Sequence, residues 1–166
     1  NIIKMDALRK MYQKVGFENV TTYVQSGNVI FTHPSEKPVA LAQRITDNIK
    51  SDFNLDVPVI VLTADQLKHI IDSNPFTGDL NKDTIFLHVT FLGATPANYD
   101  QSVITNKKDN EEEISFSDAA VYLYCPNGYG NTKLSNTMLE SKLKVMATTR
   151  NWKTTNELFK IAAQIN

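Results

Sequence analysis

The chain has 166 residues, of which 42% are apolar and 21% charged, with a net charge of −1. That length and apolar content can bury a core without a disulfide or a metal, and they argue against disorder. No apolar run approaches the roughly 20 residues of a membrane-spanning helix, so no membrane partner is expected.

Cys125 is the only cysteine. This excludes internal disulfides and cysteine-rich metal sites and fits a reducing cytoplasm. His33, His69 and His88 are scattered along the chain, so neither a metal nor another cofactor is expected.

The near-zero total hides a split. Residues 1–50 carry seven basic and four acidic side chains, a balance of +3, and residues 51–125 carry four basic and twelve acidic ones, a balance of −8. Residues 126–166 carry six basic and two acidic ones, a balance of +4. A basic tail can meet an anion, whereas the acidic middle repels long polyanions and disfavours nucleic acid as a partner. Asp109 with Glu111, Glu112 and Glu113 reads as a solvated loop.

Met5, Leu8, Tyr12 and Val15 recur at helical spacing, and Gly16 stops that helix. Residues 20–24 and 28–32 are β-branched and aromatic, hence strands, with Gln25-Ser26-Gly27 as a tight turn between them. Leu41, Ile45, Ile49 and Phe53 step by four behind Pro38, which suits a first helical turn. Residues 57–62 are apolar on both faces and predict a covered strand. Thr63 and Gln66 form a capping box for a helix that Asn74-Pro75 ends.

In the second half, residues 84–92 predict a strand, and Thr95-Pro96 starts a helix running to about Ile104. Residues 114–116 and 121–125 are short strands around a turn at Asp118, with Val121, Leu123 and Cys125 on one buried face. Residues 132–145 read as a helix. Leu158, Ile161, Ala162 and Ile165 mark a last one.

Residues 1–62 therefore run α-β-β-α-β, and residues 84–145 run β-α-β-β-α. One further strand ahead of Asn1 completes the first pattern as βαββαβ, the ferredoxin-like unit. The predicted fold is α+β, with two tandem ferredoxin-like halves built on antiparallel sheets, residues 1–75 and 76–166. The first half lacks its first strand, and the last strand of the second half either shrinks to a few residues near Ala147 or is replaced by the final helix.

Three stretches carry candidate chemistry. Cys125-Pro126-Asn127-Gly128-Tyr129-Gly130 leads from a strand through a glycine-containing loop into a helix with Lys133 in its first turn. Free N–H groups and the dipole at such a helix start favour an anion, and an ordinary turn reads equally well. Arg150 and Asn151 precede the last helix, where acids are the usual choice, so Arg150 wants either an internal carboxylate or a bound anion. Gln25, Ser26 and Asn28 offer neutral hydrogen bonds to a ligand, or satisfy their own turn. His88 reads as a structural histidine in a strand.

Several of these residues also carry a family likeness. Leu8, Gly16-Phe17 and Tyr23-Val24-Gln25-Ser26-Gly27-Asn28-Val29-Ile30-Phe31 resemble the start of the bacterial domain-of-unknown-function family 1697. Asn127-Gly128-Tyr129-Gly130 with Thr132-Lys133-Leu134, and Thr148-Thr149-Arg150-Asn151-Trp152, resemble its C-terminal half. The resemblance implies a bacterial α+β protein of two similar halves, with a strand and glycine-rich turn ahead of this segment, and it carries no activity with it.

The expected function is a binding module for a small anionic ligand, phosphorylated or carboxylated, or for a nucleic-acid phosphate. Lys133, Arg150 and Asn151 would meet the anion, Gly128, Tyr129 and Gly130 would allow close approach, and Gln25, Ser26 and Asn28 would add hydrogen bonds. An enzyme acting on a phosphorylated substrate in the same groove and a protein-interaction module are the alternatives.

Overall fold

The computed structural model describes residues 3–23, 27–34 and 36–165. Its contacts divide the chain into two compact units, Asn1–Asp65 with Glu157–Asn166, and Gln66–Asn156. The sequence pattern places that boundary ten residues later, at 75/76. The helix between the two positions, α3 (Ala64–Asp72), falls mainly in the second unit, where the Tyr122 hydroxyl donates to the Ile70 carbonyl at 2.7 Å.

In the first unit, α1 (Met5–Lys14) and α2 (Pro38–Phe53) accompany a two-stranded antiparallel sheet of β1 (Glu18–Tyr23) and β2 (Asn28–Thr32). Pro38 opens α2, and Asn54 closes it in the left-handed region at φ 55°. A lone two-stranded sheet is marginal in water. Here Leu8, Met11, Tyr12, Phe17, Leu41, Ile45 and Ile49 form a buried cluster against it. Phe17 stacks on Phe31 with centroids 4.7 Å apart, and the Arg44 guanidinium sits 5.4 Å over the Phe17 ring while pairing with Glu36.

Residues 57–62 do not form the expected strand. Val57, Val59 and Val61 do pack against the first unit's core, as alternate residues of a strand would. Among the described residues, however, 55–62 form no backbone hydrogen bond. The apolar pattern is that of a strand, and the ladder that makes one is missing.

The second unit runs α3, β3 (Leu87–Leu92), α4 (Gln101–Thr105), β4 (Glu113–Phe116), β5 (Ala120–Tyr124), α5 (Asn136–Leu143) and β6 (Ala147–Asn151). Its sheet has the order β4-β5-β3-β6, every neighbour antiparallel. Helix α6 (Trp152–Ile165) begins in this unit and continues into residues grouped with the first.

Side chains alternate across a strand. One face of the sheet carries Leu92, Val121, Leu123 and Ala147, which pack with Ile104 of α4 and with Leu134, Leu139 and Leu143 in and before α5. Cys125, just past β5, belongs to that cluster and is fully buried. The other face carries Leu87, Val89, Phe91 and Tyr122, also buried.

Three boundaries in this unit differ from expectation. Residues 84–86 form a 3₁₀ turn capped by Asp83, which accepts from the Ile85 N–H, so β3 starts at Leu87. The helix expected from Thr95-Pro96 starts only at Gln101, because the Asp100 side chain accepts from the Ser102 N–H and fixes the N-cap there. Ser135 caps α5 by accepting from the Met138 N–H, so that helix starts at Asn136 rather than near Thr132.

Hydrogen exchange tests the reading of residues 55–62. Amides there are expected to exchange within seconds despite their half-buried side chains, while β3 and β5 amides exchange slowly. Slow exchange at Val57, Val59 and Val61 would show a strand partner and contradict it.

Candidate functional site

The loop after β5 is built by backbone demands. Gly128 sits at φ 96°, a conformation that side chains other than glycine adopt at a cost. Gly130 has no such need, and a methyl group added there would meet nothing within 4 Å. Tyr129 opens a 3₁₀ turn. Its ring stacks on His88 at 4.5 Å with planes 19° apart, and its hydroxyl accepts from the Asn136 N–H at 3.0 Å. The first contact holds the loop on β3 and the second ties it to the start of α5, so Tyr129 is used structurally.

His88 is half-buried, and burial lowers its pKa. Its Nδ1 is buried without a hydrogen-bond partner among the described residues, while a backbone hydrogen bond at Phe86 raises its pKa against the larger effect of burial.

The acidic run is not a solvated loop throughout. Glu112 is 2% exposed. Its Oε1 accepts from the Asp109 N–H at 3.1 Å, while Asp109 Oδ1 accepts from the Glu111 and Glu112 N–H groups at 2.9 and 3.0 Å. Asn127 closes the knot by donating to Asp109 Oδ2 at 3.0 Å. The N–H donors of a tight turn thus draw one glutamate inward, a local feature that charge counting misses. They also leave carboxylates beside the glycine loop, which opposes anion binding there. Among the described residues no group of three metal-ligating side chains exists.

A half-buried lysine also escaped the sequence reading. Lys82, its side chain 12% exposed, lies 2.6 Å from both Asp79 and Glu113 and 5.2 Å from the centre of the Tyr124 ring. Its charge is fully answered, and it fastens the segment before β3 to the edge strand β4.

The sequence-predicted residues do not share one hollow. Lys133 is exposed in the loop over the α5 face, three residues before that helix. Strand β6 sends Thr149 to the same face, where its hydroxyl meets Thr90 at 2.7 Å and donates to Asn136 at 2.9 Å. Arg150, the next residue, therefore projects from the opposite face beside Val89. Its Nη1 donates to the Thr148 hydroxyl at 2.7 Å and the Thr149 carbonyl at 3.0 Å. Desolvation lowers the Arg150 pKa.

Asn151 is the N-cap of α6, its side chain accepting from the Thr154 N–H at 2.8 Å. Asn28 is buried in the first unit, and its Nδ2 donates to the Tyr23 carbonyl at 3.0 Å, closing the β1–β2 pair. Gln25 and Ser26 lie outside the described residues.

A different place gathers free cations. A shallow hollow of about 280 Å³ lies between α4 and the end of α5, lined by Asn98, Tyr99, Asp100 and Val103 on one side and Lys142, Leu143 and Lys144 on the other. Neither Lys142 nor Lys144 forms an ion pair among the described residues. Lys144 is displayed by a left-handed C-cap at φ 56°. The sequence signal for these lysines is the +4 balance of residues 126–166.

The family described as "Protein of unknown function (DUF1697)" matches residues 1–122. The chain belongs to this family. The matched segment ends before the glycine loop and before Thr148–Trp152, so those motifs stand outside it. A conserved bacterial protein from Streptococcus pneumoniae, of solved structure, aligns with a TM-score of 0.60 at 20% identity, over 96% of this chain and 89% of its own. At that identity the likeness concerns the fold alone. No curated protein matches the chain.

Cys125 supplies a chemical test. Burial first, then the negative charge of Glu112, pushes its thiol from 9.0 up to about 12. A raised acid pKa means that the folded state keeps a proton which the unfolded state loses. The associated stability is therefore complete below pH 9 and falls as pH rises toward 12. Native protein is expected to resist iodoacetamide at pH 8 and to react at least about 100-fold faster once unfolded. Rapid alkylation of native Cys125 would contradict this burial and reopen a nucleophilic role.

Proposed function

We propose that this protein is a binding module for a small anionic ligand, held in the hollow between α4 and the end of α5. The carrying observation is the pair Lys142 and Lys144, two lysines without ion pairs among the described residues, in a hollow whose apolar lining includes Tyr99, Val103 and Leu143. The free positive charge of the basic tail supports the same reading.

Magnitudes narrow the ligand. Two exposed charge contacts are worth roughly 1–2 kcal/mol together, a dissociation constant of tens to hundreds of millimolar. Burying on the order of 100 Å² of apolar surface adds ~2.5 kcal/mol, bringing the dissociation constant to about 1 mM. A bare phosphate is therefore held too weakly, and the ligand carries an apolar part.

We also read the two units as ferredoxin-like halves of a bacterial, cytoplasmic protein. In the second unit the support is the βαββαβ order with strands arranged β4-β5-β3-β6. In the first it is the alternating apolar segment at 57–62, whose Val57, Val59 and Val61 pack against the same core as the two-stranded sheet. The reducing compartment rests on a single buried thiol.

Phenyl phosphate and 3-phenylpropionate are suitable probes. At 10 mM and a dissociation constant of about 1 mM, either is expected to raise Tm by roughly 3–6 °C. A Lys142→Gln/Lys144→Asn variant, with Asn suited to the left-handed position, is expected to lose that rise. A Lys133→Ala/Arg150→Ala variant is expected to keep it. The reverse pattern would return the site to the sequence-predicted pair, and no rise for the unaltered protein would end the reading.

A further inference from the structure

The hollow is not uniformly basic. Asp100 lines it together with Asn98, facing a wall that carries Lys142 and Lys144. Asp100 is fixed by its capping role, with Oδ1 accepting from both the N–H and the hydroxyl of Ser102 at 2.9 and 2.6 Å. No lysine or arginine pairs with Asp100 among the described residues. The Ser102 donors hold its carboxyl below the usual carboxylate range, so it is ionised at neutral pH.

An anion entering this hollow meets two cations and one fixed carboxylate. A ligand that is only anionic gains from the lysines and is repelled by Asp100. A ligand that also carries an ammonium turns that repulsion into a charge-assisted contact. Its apolar part lies over Tyr99, Val103 and Leu143. Tyr99 also packs on Phe116 at 5.9 Å, so the floor is a continuation of the core rather than a loose side chain.

We propose that the hollow selects a zwitterion with an apolar part: a carboxylate for Lys142 and Lys144, and an ammonium for Asp100. Free α-amino acids with large side chains and ω-amino acids share this chemistry and differ in the spacing of their charges. The inference rests on the anion reading above and sharpens it.

The test compares matched probes by NMR titration of the full chain, following the amides of residues 97–104 and 142–144. Phenylalanine is paired with 3-phenylpropionate, and 6-aminohexanoate with hexanoate, each pair differing chiefly in the ammonium. At least one zwitterion is expected to bind about 5-fold more tightly than its partner. Whichever does so reports the spacing between the two charge sites. Asp100→Asn, which keeps the cap, is expected to bring the ratio to about one without weakening the simple carboxylate. If both simple carboxylates bind as well as their zwitterions and Asp100→Asn leaves the ratio unchanged, the zwitterion inference fails and the anion reading stands. If none of the four probes shifts these amides, both fail together.

Discussion

The two-residue period of β6 is the constraint on which the functional reading turns. Thr149 points to the α5 side of the sheet, where Thr90 and Asn136 take its hydroxyl, and Arg150 must then point the other way. A one-residue slip in register would exchange them. The slip is opposed by Ala147, buried in the α5-side cluster opposite Leu92, and by Asn151, whose side chain starts α6. A register set by apolar packing and one helix cap thus decides which cations can share a ligand.

Once Arg150 and Lys133 are assigned to opposite faces, the basic tail has to be reconsidered residue by residue. Arg150 spends part of its donor capacity on Thr148 and the Thr149 carbonyl. Lys133 stands exposed in the loop that Asn127 ties to Asp109, and of the nearby acids only Glu112 is drawn inward. Lys142 and Lys144 are left beside a hollow with an apolar floor. The redistribution follows from hydrogen bonding within the second unit.

Much of the fold was legible because its signals are local. The spacing of Leu41, Ile45 and Ile49 with Pro38 in front locates α2, and the β-branched and apolar runs within residues 84–125 locate β3, β4 and β5, while β6 carries no such run. What failed depended on partners or on competing caps. Residues 57–62 have a strand's pattern without a ladder among the described residues, and pattern alone cannot supply one. Asp100 and Ser135 cap α4 and α5 through their side chains, whereas Pro96 has no side-chain acceptor and Thr132 Oγ1 accepts from the Leu134 N–H in a turn that precedes the helix. The candidate site was harder still. The charge was visible in the sequence, while the face of the sheet on which each cation lands is a long-range fact set by β3–β6 pairing.

The most direct measurement of that placement is a NOESY spectrum of the isotopically labelled chain, read at residues 149 and 150. The Thr149 methyl is expected to show cross-peaks to Thr90 and to the Asn136 side-chain amide, while Arg150 shows them to Val89 and Thr148 and none to Asn136 or Tyr129. Cross-peaks joining the Arg150 side chain to Asn136, Tyr129 or Lys133 would put both cations on one face and contradict the account.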